Sequence, residues 1–193
     1  MLRRRFLAAV PLWLAARASL AHPADADARF PATIVDRVGG KPIRLALTGS
    51  ALRTKYRFHV YAVASYLQEG ITTRDGDSLA VLDAPKLMHL IFERDVDGAT
   101  MASAYRDSIG RSHPAPAFAA ELSKLERYFL ANPIRQGDHI RLTHVPGVGL
   151  GVQINNLPTL MAGGVAFARA AWGTYLGPNN LGMALKNGLT SRL

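Results

Sequence analysis

No cysteine occurs among the 193 residues, which excludes disulfides, thiol catalysis, cysteine metal sites and covalent haem attachment. The core alone must hold the fold together. The six histidines form no His-Glu-x-x-His or comparable cluster, and His139 and His144 have opposite parity along one expected strand, so no metal is expected. No Gly-x-Ser-x-Gly elbow is present, which removes the usual support for a serine hydrolase. Gly147, Gly149 and Gly151 do not open a helix, as a phosphate cradle would require; they sit between two apolar runs and read as a hairpin turn. No cofactor is expected. After the amino-terminal stretch no apolar run is long and uninterrupted enough to span a membrane, because Arg, Lys, Asp or Gly punctuates each one. The excess of 23 Lys and Arg over 14 Asp and Glu, a formal charge of +9, is scattered rather than clustered among aromatics, so nucleic acid is not an expected partner.

What is there begins with three zones: Arg3, Arg4 and Arg5, an apolar run from Phe6 to Ala16, and the small-residue site Ser19-Leu20-Ala21. This is the layout of a cleavable signal peptide over residues 1–21, and it implies a periplasmic or secreted protein. Arg3-Arg4-Arg5-Phe6-Leu7 also resembles a twin-arginine export signal. Pro11 and Arg17 interrupt the run and argue against an anchor. Cleavage would remove four arginines and no acid, leaving 19 basic against 14 acidic residues, a balance that mildly favours anionic partners. Residues 22–29, rich in Ala, Asp and Pro, read as a flexible leader, and 30–193 as one domain, able at that size to bury roughly 70% of its chain's surface.

Within that domain the spacing predicts a hairpin of strands Ala32 to Val38 and Ile43 to Leu47 around Gly39-Gly40-Lys41-Pro42. A longer strand is expected from Lys55 to Leu67, with Tyr61, Val63 and Ser65 on one side and Val60, Ala62 and Ala64 on the other. Lys86 to Phe92 reads as the next strand, after a turn-rich interval at Thr72 to Ser78. The period then becomes helical. Asp97 can cap a helix to Arg111, and a second carries Phe118, Leu122, Leu125, Phe129 and Leu130. Strands at His139 to Val145, Gly151 to Ile154 and Thr159 to Met161 follow, then helices at Val165 to Leu176 and Leu181 to Leu189. Strands, helices, strands and helices in turn argue for an α+β fold with an antiparallel sheet covered on one face.

The stretch from Gly49 to Leu67, with a glycine-led Gly-x-x-x-Arg ending at Arg53 and an aromatic-rich run closing on Tyr66-Leu67, resembles the chalcone isomerase-like family. Phe92-Glu93-Arg94-Asp95-Val96, Gln136-Gly137-Asp138, Val145-Pro146-Gly147, Trp172 and Leu176-Gly177-Pro178 extend the resemblance over roughly Ile43 to Leu189. It implies an open-faced sandwich, a large antiparallel sheet under a layer of helices, as in exported bacterial members. The family includes isomerases that close a chalcone to a flavanone and relatives that bind fatty acids without catalysis.

Only site residues separate those functions. By the resemblance, Arg53 falls where the isomerases keep a cleft arginine and the binders anchor a carboxylate, although composition alone would leave it a solvated arginine. Tyr61 stands where the enzymes carry a threonine, Met101 where they carry a tyrosine, and Ser108 where they carry an asparagine. Tyr105 lies one turn beyond Met101 and can offer a hydroxyl from the same helix face. The anion anchor is kept and most of the catalytic hydrogen-bond set is replaced. The expected ligand is therefore a small hydrophobic molecule with an anionic head, fatty-acid-like, bound without catalysis through Arg53, Tyr61, Met101, Tyr105 and Ser108. The alternative is an isomerase, an intramolecular lyase acting on a phenolic ligand.

Overall fold

The computed structural model describes residues 29–193; the expected export signal, and the leader up to residue 28, lie outside the described residues. Alternating apolar residues build seven strands, β1 (Thr33–Val38), β2 (Lys41–Lys55), β3 (Phe58–Gln68), β4 (Lys86–Phe92), β5 (His139–Val145), β6 (Gly149–Ile154) and β7 (Leu160–Gly163). They pair antiparallel in sequence order as one meander. Five helices accompany them: α1 (Gly76–Val81), α2 (Gly98–Gly110), α3 (Ala119–Ala131), α4 (Val165–Leu176) and α5 (Met183–Leu189). Among the described residues no helix is long and apolar enough to cross a membrane.

Strand alternation sends the two sets of β3 side chains into two separate clusters. Tyr61, Val63 and Leu67 join Met88, Leu90, Phe92, Ile140, Leu142 and the helical residues Phe129, Phe167 and Trp172. Ala62, Ala64 and Tyr66 pack with Leu45, Leu47, Leu87 and Phe30 on the opposite face. That second face is closed by the sheet itself, which curls until β1 approaches β5: Asp36 Oδ2 lies 3.5 Å from Arg141 Nη2. The Tyr66 hydroxyl donates to the Pro31 carbonyl at 3.0 Å and fastens the chain before β1 across it.

The structure departs from the sequence reading at three places. The expected strand Lys55 to Leu67 is instead the end of β2, a tight turn at Tyr56-Arg57, and β3, with Lys55 paired to Phe58. No Gly, Pro or Asn marks that turn, and Tyr56 adopts a left-handed φ of 57°, a conformation such turns usually give to Gly or Asn. The expected strand Ile43 to Leu47 continues through Gly49, where the register shifts by a bulge. Only glycine fits there, since φ is +149° and a Cβ would stand 2.2 Å from the Gly188 carbonyl oxygen of α5. The interval read as turn at Thr72 to Ser78 contains the start of α1, whose cap Asp75 accepts from the Ser78 amide at 2.8 Å.

Lys86 is fully buried on β4, donating to the carbonyls of Leu79 and, at 3.0 Å, Ala80, with its ammonium 4.7 Å from the centre of the Trp172 ring. Burial, helped by Arg169 and opposed by Asp83, pulls its pKa from 10.5 to about 7. Burial likewise lowers His89 from 6.5 to about 4 and moves His144 down. Each group holds its proton less tightly folded than unfolded, so stability rises with pH across the gap, from about 4 to 6.5 for His89 and from about 7 to 10.5 for Lys86. Buried tyrosines act oppositely, Tyr66 being pushed up to about 12, and stability falls once unfolded tyrosines ionise above about pH 10. Denaturant midpoints should therefore peak near pH 9, and Lys86→Met should flatten the climb above about pH 7. A wild-type maximum below neutrality would refute this assignment.

Candidate functional site

The register aligns three side chains into one row across the sheet. Arg53 of β2 is the direct partner of Tyr61 on β3, and Tyr61 of Phe92 on β4. Directly opposed residues share a sheet face, here the face under the helices, and the Tyr61 and Phe92 rings lie 5.3 Å apart. Above the row runs α2, started by Asp97, whose Oδ1 accepts from the Thr100 amide at 2.8 Å. Met101, Tyr105 and Ser108 are buried at helical spacing on its inner side. The third wall is the end of α4, which contributes Thr174 and Tyr175.

Together these elements enclose a cavity of about 570 Å³, within the range of about 300–1,000 Å³ usual for small-molecule sites. All five residues singled out in the sequence, Arg53, Tyr61, Met101, Tyr105 and Ser108, line it. So do Tyr175, Thr174 and Phe92, which sequence reasoning did not assign to a site. The only available signal for Tyr175 was its position near Trp172 in the closing helix, and helical spacing does not say which strand row it will meet.

Chemically the cavity has a polar zone of Arg53 and three tyrosines, besides the charged groups Lys55, Arg94, Asp95, Asp97, Asp107 and Arg111 that also line it. The Tyr105 and Tyr175 hydroxyls share a hydrogen bond of 3.3 Å, either able to donate, and the Tyr61 hydroxyl lies near enough to Tyr175 for each to influence the other's ionisation. Arg53 is half-buried beside them and donates through Nη1 to the Leu181 carbonyl at 2.7 Å. Burial is the chief cause that drives all three tyrosines well above their ordinary pKa; the Arg53 charge pulls Tyr61 and Tyr175 the other way without reversing the shift. At neutral pH the zone is thus a cation among neutral hydroxyl donors, an arrangement that suits an anionic or strongly polarised oxygen. Val60, Phe92, Met101, Ala104 and Val96 make up much of the apolar wall. Among the described residues, no group of three or more His, Cys, Asp or Glu could hold a metal ion.

An antiparallel meander with helices on one face, and a cavity between the two layers, defines the class. The chain belongs to the chalcone isomerase-like family, whose model matches residues 26–190. The crystal structure of a fatty-acid binding protein from Arabidopsis thaliana has the same fold: it is 18% identical, with a TM-score of 0.63 over 83% of this chain and 90% of that one. No curated protein sequence matches significantly.

Proposed function

We propose that this protein binds a long-chain carboxylate or a similar apolar molecule with an anionic head, without transforming it. The observation that carries this reading is Arg53, half-buried on the same row as Tyr61 and Phe92 and facing a largely apolar cavity. A planar guanidinium matches a carboxylate, and one of its nitrogens is already steadied by Leu181. The fatty-acid binding protein of like fold supports the same ligand class. Export of the chain, with removal of residues 1–21, is part of the proposal and rests on the amino-terminal pattern.

The test is mass analysis of the protein isolated from its native host, with calorimetric titration of the stripped protein. A chain beginning at His22, a co-purified aliphatic acid, and markedly tighter binding of the acid than of its methyl ester are expected. Full-length chain confined to the cytoplasm would refute export. Equal affinity for acid and ester would refute the anion-anchoring role. Stereoselective conversion of a chalcone to a flavanone at enzymatic rates would favour the isomerase reading, for which the three hydroxyl donors are the supporting observation. Met101 supplies no donor of its own, and a missing oxyanion donor costs about 10²–10³ in rate, so conversion near background is expected.

A further inference from the structure

The turn between β2 and β3 carries an aromatic pair that the interior does not use. Tyr56 is 89% and Phe58 59% exposed, and both stand at the mouth of the cavity. Tyr56 holds its left-handed φ of 57° at a position where Gly would be unstrained. A large ring kept in water on a strained turn is not explained by packing within the chain. Its surroundings are cationic. Lys55 and Arg57 flank it, both exposed, and the Arg94 guanidinium sits 4.9 Å from the centre of the Phe58 ring. No Asp or Glu occurs anywhere from Arg37 to Gln68. Three carboxylates also line the cavity, all on α2 or the segment before it: Asp95 is engaged by Arg135 and the Gln136 amide, Asp97 by Thr100, and Asp107 accepts from the Ser103 hydroxyl at 3.4 Å.

Aromatic rings favour the boundary between lipid headgroups and acyl chains, and neighbouring Lys and Arg are attracted to anionic headgroups. We propose that this hairpin tip docks the cavity mouth onto an anionic lipid bilayer. Tyr56 and Phe58 enter the interface, and Lys55, Arg57 and Arg94 meet lipid phosphates. An amphiphile could then pass between bilayer and cavity without crossing bulk water. This goes beyond the carboxylate-binding reading, and docking is measured without any fatty acid so that the two fail separately.

The experiment is co-sedimentation of the whole protein with vesicles of phosphatidylcholine alone or mixed with phosphatidylglycerol. Wild type should bind the mixed vesicles and be released by salt. Each cation near an anionic surface is worth about fivefold in partitioning, so Lys55→Glu with Arg57→Glu should lower it by at least about tenfold. Tyr56→Gly relieves the backbone strain, so its fold is retained, and with Phe58→Ser it should also cost most of the binding. Arg53→Ala should dock as wild type does. Tip variants that sediment like wild type, or equal binding to neutral and anionic vesicles, would overturn the proposal. A dimer in solution that Tyr56→Gly dissolves would assign the patch to a second copy of the chain and overturn it equally.

Discussion

Replacing Arg53 with alanine is expected to weaken binding of a long-chain carboxylate by roughly ten- to a hundredfold, the equivalent of about 1.5–3 kcal/mol for a hydrogen bond to a charged group. The magnitude follows from where Arg53 sits: half-buried, opposite Tyr61 in the register, with its Nη1 held on Leu181. A charge-assisted bond in such a place is screened less than one on the open surface. Lysine should restore little, because a single ammonium cannot reproduce the fork or keep the Leu181 bond and the ligand together. The methyl ester should bind wild type and variant alike. Arg57, exposed on the turn and outside the cavity lining, is the control for general positive charge; Arg57→Ala should change affinity less than about twofold, as an exposed, screened charge does. Calorimetric titration of the variants decides it. Undiminished binding by Arg53→Ala, or an equal loss in Arg57→Ala, would remove Arg53 from the site.

Gly98→Ala should produce the largest loss of stability among small substitutions in the cavity walls, about 1–3 kcal/mol or somewhat more. Gly98 begins α2, the helix that carries Met101, Tyr105 and Ser108. A Cβ there would fall 2.2 Å from the Phe129 carbonyl oxygen and 2.8 Å from the Leu130 Cα. Both obstacles are backbone atoms of α3, so no rotamer change relieves them and the helices must part. Parting them shifts the Tyr105 hydroxyl away from Tyr175, and ligand affinity should fall together with the melting temperature. Gly110, at the other end of the same helix, has nothing within 4 Å of the position of a Cβ. Gly110→Ala should therefore stabilise, by about 0.5–1 kcal/mol, through the smaller entropy of the unfolded chain. Thermal denaturation of the two variants side by side checks this, and a Gly98→Ala protein that melts with wild type would show that the helices do not approach so closely.

Most strands and helices were legible because their signals are local. The alternation of β3, β4 and β5 and the helical spacing of α2, α3 and α4 are set by sterics within a few residues. The turn at Tyr56-Arg57 was not legible, because a tight turn without Gly, Asn or Pro carries no local mark, and the left-handed Tyr56 is held by pairing on both sides. α1 was missed for a related reason: six residues beginning Gly-Asp-Ser have little helical preference, and packing beneath α4 and α5 sustains them.

By itself the sequence determined the α+β order of elements, the family resemblance, and five residues that do line one cavity. It also held the basic, aromatic run around Tyr56, without showing that this run stands at the cavity mouth. Tertiary structure alone decided that Arg53, Tyr61 and Phe92 form one row, because that depends on the register of three strands and on a bulge between Arg53 and Thr54. It alone brought Tyr175 to Tyr105 across 70 residues of chain. The physical reason is range. Backbone sterics and side-chain period act between near neighbours and can be read along the chain, whereas the meeting of a helix face with a strand row is fixed by close packing among residues far apart in sequence.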